Sequence, residues 1–192
     1  MKKYIKIVLL SIVCIGLIVG YYYYLSFHNK KNVENAKDLT PVEDVITRDL
    51  EKNYPPTPRE VVKFYDKILK CYYNEKYDDE EFEQLVEQAR LILDEELLKK
   101  NPKDQYILAL KADIKDYKDN ERKLSRATVC DSKDVTYQKI DGKECAYVTS
   151  TYFVKEGNTF TNTYQKYVLR KDADGEWKIL GYKAMEGESS NE

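Results

Sequence analysis

Tyrosine is the residue through which this chain could most readily do chemistry. There are 18 tyrosines against 5 phenylalanines, among 34 acidic side chains. A tyrosine that polarises a carbonyl, paired with a carboxylate that moves a proton, is a workable acid–base site. So many tyrosines make such pairs easy to form by chance, and no motif selects one. The single histidine, His28, lies at the edge of an apolar run, so a His–Asp arrangement is excluded from everything beyond it. Cys71, Cys130 and Cys145 follow that run without C-x-x-C spacing. They read as free thiols rather than as a zinc site or a redox pair. No catalytic, cofactor-binding or metal-ligating residue is assigned, and no cofactor is expected.

Basic and acidic residues nearly balance, 32 against 34, so no net basic field argues for nucleic acid. The longest stretch without charge runs from Ile7 to Phe27, with Lys2, Lys3 and Lys6 before it and His28, Lys30 and Lys31 after it. As a helix this stretch would span about 30 Å, the thickness of a bilayer's hydrocarbon core. Tyr21 to Tyr24 suit the headgroup boundary at its C-terminal end. The alternative is a cleaved signal peptide, but Ile18-Val19-Gly20 makes a poor cleavage site and four tyrosines a poor mature terminus. Val13 before Cys14 argues against a lipoprotein site, and Gly16 and Gly20 form a G-x-x-x-G pair of the kind common in membrane helices. The expectation is a single-pass membrane protein held in the cell membrane through residues 7–27. The slight lysine excess before the span places the domain outside.

The elements that must position any site follow. Residues 1–28 read as the anchor, and 29–56 as a polar spacer with a short amphipathic helix from Pro41 to Lys52. Thr57-Pro58-Arg59-Glu60 reads as a capping box opening a helix that ends near Asn74. A second capping signal at Asp78 to Glu81 precedes one long apolar stripe, Phe82 to Leu97, closed by Asn101-Pro102. Ile107, Leu110, Ile114 and Tyr117 mark a third, half-buried helix.

From Leu124 the period becomes alternating. Leu124 to Ile140 reads as a bent strand broken near Ser132-Lys133. Asp141-Gly142, Glu156-Gly157 and Asp172 to Gly175 are turns joining three further strands that end at Met185. The expected fold is α+β, three helices on a curled four-stranded antiparallel meander over 57–187, with a disordered tail at 188–192. The turns place Ala146, Val148, Ser150, Tyr152, Thr163, Gln165, Tyr167, Leu169, Leu180 and Tyr182 on one sheet face. They place Cys145, Trp177 and Ile179 on the other, Cys145 opposite Gln138, and Cys130 near Phe153.

Helices followed by a meander ending in Asp174-Gly175-Glu176-Trp177-Lys178-Ile179 resemble the nuclear-transport-factor-two-like (cystatin-like, SnoaL-like) superfamily. The stretch Asn53 to Lys70 also resembles an uncharacterised family of single-pass membrane proteins of Gram-positive bacteria, over about Asp49 to Tyr182. Many SnoaL-like domains place strands between their second and third helices, and none is read here. The resemblance implies a conical sheet around a pocket that in the superfamily's enzymes holds Asp, His and Tyr. The reading is a non-catalytic domain that binds a protein partner, a second copy or a small ligand at the envelope. The alternatives are an enzyme using a Tyr–carboxylate pair on a small hydrophobic substrate, and a structural dimerisation module. A solid interior would dismiss the enzyme. A hollow one with a tyrosine and a carboxylate converging would favour it.

Overall fold

The computed structural model describes residues 39–185. The expected anchor at 1–28, with its span at 7–27, and the tail at 188–192 lie outside them. Among the described residues no helix is long and apolar enough to cross a membrane.

The fold is α+β. Its helices are α1 (Pro41–Ile46), α2 (Pro58–Asn74), α3 (Asp79–Leu91), α4 (Glu95–Lys100) and α5 (Lys103–Asp119). Its strands are β1 (Arg122–Val129), β2 (Thr136–Ile140), β3 (Lys143–Glu156), β4 (Thr159–Lys171) and β5 (Trp177–Met185). All pairings between these strands are antiparallel. β1 and β2 share one edge of β3, and β4 and β5 follow on the other side. Five strands thus replace the expected four. A 3₁₀ turn at Ser132–Asp134 divides the bent strand into two, each pairing with its own half of β3. At the β2–β3 turn Asp141 (φ 50°) and Gly142 (φ 78°) are both left-handed, as a two-residue hairpin turn requires.

Five helices stand where three were expected in the domain and a short one over Pro41 to Lys52 in the spacer; that short helix forms but ends at Ile46, and two features set the arrangement. First, Thr40 and Glu43 form a complete capping box that starts α1. Val42, Val45 and Leu50 join the core, so the second half of the expected spacer belongs to the compact unit. Second, the long stripe Phe82 to Leu97 is not one helix. It breaks at Ile92–Asp94, where the backbone turns to pair with β5. The Ile179 amide donates to the Ile92 carbonyl at 2.9 Å, and the Asp94 amide to the Ile179 carbonyl at 2.8 Å. Asp94 then caps α4 by accepting from the Glu96 amide at 2.9 Å. Arg170 holds the buried Asp94 carboxylate with Nε at 2.9 Å and with a second bond from Nη2. Asn101 caps the end of α4, donating from Nδ2 to the Leu97 carbonyl, and α5 starts at Pro102 without a side-chain cap.

The Thr57 cap forms, accepting from the Glu60 amide at 3.2 Å. The reciprocal half of that box does not, because Glu60 turns to Lys63 instead. Asp78 and Glu81 make both halves of theirs.

The helices cover the sheet face carrying Ala146, Val148, Ser150, Tyr152, Tyr167 and Leu169, all buried. The expected partition fails in β5. Leu169 pairs with Ile179 and Val168 with Gly181, leaving Leu180 as the extra residue of a bulge. The bulge puts Trp177 and Ile179 in the core at one end of β5 while keeping Tyr182 opposite Tyr167 at the other. A second bulge at Ser125 does the same in β1. The segment between β1 and β2, with its 3₁₀ turn, takes up four residues of register, so Cys130 falls beside Thr149, whose carbonyl accepts from its amide, rather than near Phe153. Cys145 sits opposite Gln138.

Candidate functional site

Two helices and four strands converge on a cleft of about 610 Å³. α2 contributes Tyr65, Leu69 and Tyr73, spaced by four residues and so aligned along one side of the helix. α5 contributes Tyr106, Leu110, Asp113 and Tyr117, spaced by three and four. The sheet adds Tyr152 from β3, Gln165 from β4 and Tyr182 from β5. Tyr65 and Tyr152 are buried in its floor, and Asp113 and Tyr182 are exposed at its rim.

Beneath the floor lies the most unusual group of the molecule. Asp66 is a carboxylate on the buried side of α2, 5% exposed. Its Oδ1 accepts from the Tyr152 hydroxyl at 2.5 Å and its Oδ2 from Ser150 Oγ at 2.9 Å. Tyr152 lies 2.5 Å from the Tyr167 hydroxyl, which reaches Gln165 Oε1 at 2.8 Å. Burial pushes the Asp66 carboxyl up to about 6, against the opposing pull of Tyr152, Ser150 and the charge of Lys70. Burial also raises Tyr152 and Tyr167 well above the ordinary phenol value.

Each hydroxyl has one proton, so Tyr152 donates in one of two directions. With Asp66 ionised, Tyr152 donates to Asp66, and the Tyr167 hydroxyl reaches Gln165 Oε1. With Asp66 neutral, its carboxyl proton goes to Tyr152, Tyr152 donates to Tyr167, and Tyr167 to Gln165 Oε1. Above a pH of about 6 the first state dominates. The Tyr152 proton then points away from the cleft, and no base faces the cleft at that point.

A second tyrosine–carboxylate pair stands at the rim. The Tyr73 hydroxyl donates to Asp113 Oδ2, and the Tyr73 ring stacks on Tyr117 at 4.0 Å between centroids.

The cysteines stand apart from the cleft. All three described are free, Cys71 and Cys145 buried and Cys130 half-buried. Burial pushes the Cys71 thiol up to about 11, which suppresses its thiolate. Among the described residues no group of histidine, cysteine and carboxylate side chains could hold a metal ion. A larger groove, about 900 Å³, runs along Tyr73 to Tyr77, the end of α5 and the start of β1. Its lysines, Lys76, Lys118, Lys123 and Lys155, are all exposed. It lacks any buried polar group of the kind that orients a ligand.

Sequence reasoning placed Ser150, Tyr152, Gln165 and Tyr167 on one sheet face, and the structure brings all four together. It missed Asp66. The available signal was a carboxylate one residue from Tyr65 and two from Ile68, inside the apolar stripe of α2.

Fold and cleft together define an α+β domain with a tyrosine-walled cleft over a buried carboxylate. The chain belongs to the family described as Domain of unknown function (DUF6715), whose model matches residues 1–182. No curated protein matches it.

Proposed function

We propose that this protein is a membrane-tethered, non-catalytic binding domain whose tyrosine-walled cleft takes a small ligand at the cell envelope. The observation that carries the reading is the cleft itself. Its volume of about 610 Å³ falls within the usual size of small-molecule sites, and its wall mixes ring faces with a few polar groups. The tether is residues 7–27, supported by their length, lack of charge and tyrosine belt. The SnoaL-like character is supported by helices preceding an antiparallel meander that ends in Asp174-Gly175-Glu176-Trp177-Lys178-Ile179. The single-pass Gram-positive assignment is supported by the likeness over Asn53 to Lys70.

One observation favours a second reading, an enzyme acting through a Tyr–carboxylate pair. Tyr152 is in the cleft floor and bonds Asp66 at 2.5 Å. Against it, Asp66 lies behind Tyr152 and draws the hydroxyl proton inward when ionised. The pair therefore serves to hold a wall in place.

The test is ligand-observed NMR on the full chain in a maltoside detergent, screening small soluble compounds. Ala109 lines the cleft and is exposed, so Ala109→Trp fills the space without touching the core. Compounds that bind the wild type should lose binding to Ala109→Trp and keep it with Tyr152→Phe. Equal binding to Ala109→Trp would place the site elsewhere. Turnover of a bound compound that Tyr152→Phe abolishes, with folding intact, would make the protein an enzyme.

A further inference from the structure

We propose that the cleft selects a ligand bearing an alkylammonium group, an inference that rests on the cleft being the ligand site. The argument is the charge of the wall. The chain has 32 lysines and arginines in 192 residues, yet none lines this cleft. Six tyrosines do: Tyr65, Tyr73, Tyr106, Tyr117, Tyr152 and Tyr182. The face of an aromatic ring is the negative part of its quadrupole and attracts a cation.

The one charged side chain in the wall is Asp113, a carboxylate. It accepts a bond from the Tyr73 hydroxyl, and no ion pair with a lysine or arginine forms at it among the described residues. Two arginines act on rings of the wall from outside the lining. Arg90 lies 5.8 Å from the Tyr106 ring centre and donates to the Asn101 carbonyl. Arg122, whose charge reaches Tyr117, is bound by Asp116 and Glu156.

An anion entering this cleft would meet tyrosine rings and a carboxylate, with no lysine or arginine in the lining to receive it. A cation would meet the Tyr73–Tyr117 pair beside Asp113, and its apolar body would lie against Leu69, Leu110 and Leu124. An alkylammonium keeps its charge at any physiological pH and loses less hydration than a small metal ion, so ring faces can replace its water. The cleft therefore discriminates by charge sign at its rim and by apolar shape deeper in.

The experiment titrates the full chain, in nonionic detergent, with three probes of one shape: choline, its neutral carbon isostere 3,3-dimethylbutan-1-ol, and the anion 3,3-dimethylbutanoate. The expected result is that choline binds about ten-fold more tightly than the alcohol, and the anion weakest of all. Asp113→Asn should remove most of that preference by weakening choline far more than the alcohol. Tyr117→Leu should weaken choline and Tyr117→Phe should not, because the ring rather than the hydroxyl holds the cation. If the alcohol or the anion binds as tightly as choline, the ammonium inference is overturned and the ligand site stands. If choline binds best but is indifferent to Asp113→Asn and to Tyr117→Leu, the assigned rim is wrong. If none of the three binds while compounds from the screen do, the ammonium inference is overturned. If nothing binds in either experiment, both readings fall.

Discussion

Asp66 is one buried carboxylate whose environment opposes its own charge. Two hydrogen bonds and Lys70 favour the ionised form, and burial outweighs them. Its folded value, about 6, is above the 3.8 expected of an exposed aspartate. The folded state therefore binds more protons than the unfolded state between these values, and stability falls as pH rises through the interval. Below about pH 4 the group costs nothing, and above about pH 6 the cost is complete, on the order of 3 kcal/mol from the shift. Other carboxylates titrate nearby, so the contribution is read by difference. The stability of wild type minus that of Asp66→Asn should drop by roughly that amount between pH 4 and pH 7. Trp177, the only tryptophan and buried, reports unfolding. A difference that stays flat would mean that Asp66 is not held as described.

At the scale of elements, short polar devices decide where helices begin and end. Thr57 caps α2, which carries both Asp66 and one wall of the cleft. Thr57→Ala should lower stability by about 1 kcal/mol with an unchanged denaturant slope. No shift in midpoint would show that the cap is idle. The break between α3 and α4 depends on a stronger device. Asp94 is buried, and Arg170 supplies its charge partner from β4. Arg170→Met keeps the apolar stem but leaves a buried carboxylate unpaired, and should cost about 3 kcal/mol. The loss should appear first as faster hydrogen exchange of the Asp94 and Ile179 amides, which join the break to β5. Unchanged exchange there would mean that the backbone pairing holds the break without the ion pair.

At the scale of the whole molecule, the proposed tether makes a direct prediction. The full chain should resist extraction of membranes with alkaline carbonate, and a chain starting at residue 29 should be released. Release of both would remove the tether from the proposed function.

The sequence by itself determined the α+β class, the places of the turns and most helix starts, because each rests on local chemistry. Asp141-Gly142 turns wherever it stands, and Thr57 and Asp78 cap from within a few residues of their partners. It also showed that Ser150, Tyr152, Gln165 and Tyr167 share a face, since alternation along paired strands follows from the turns. Tertiary structure alone decided the rest. The stripe from Phe82 to Leu97 has a continuous helical pattern, and only the edge of β5 and the side chain of Arg170 break it at Asp94. The bulge at Leu180 moves Trp177 and Ile179 into the core because the helices must be covered there, a demand that β5 does not encode locally. Asp66 became the centre of the site for the same reason. A carboxylate in an apolar stripe is only an irregularity until the sheet brings Ser150 and Tyr152 to it, 84 and 86 residues further along the chain.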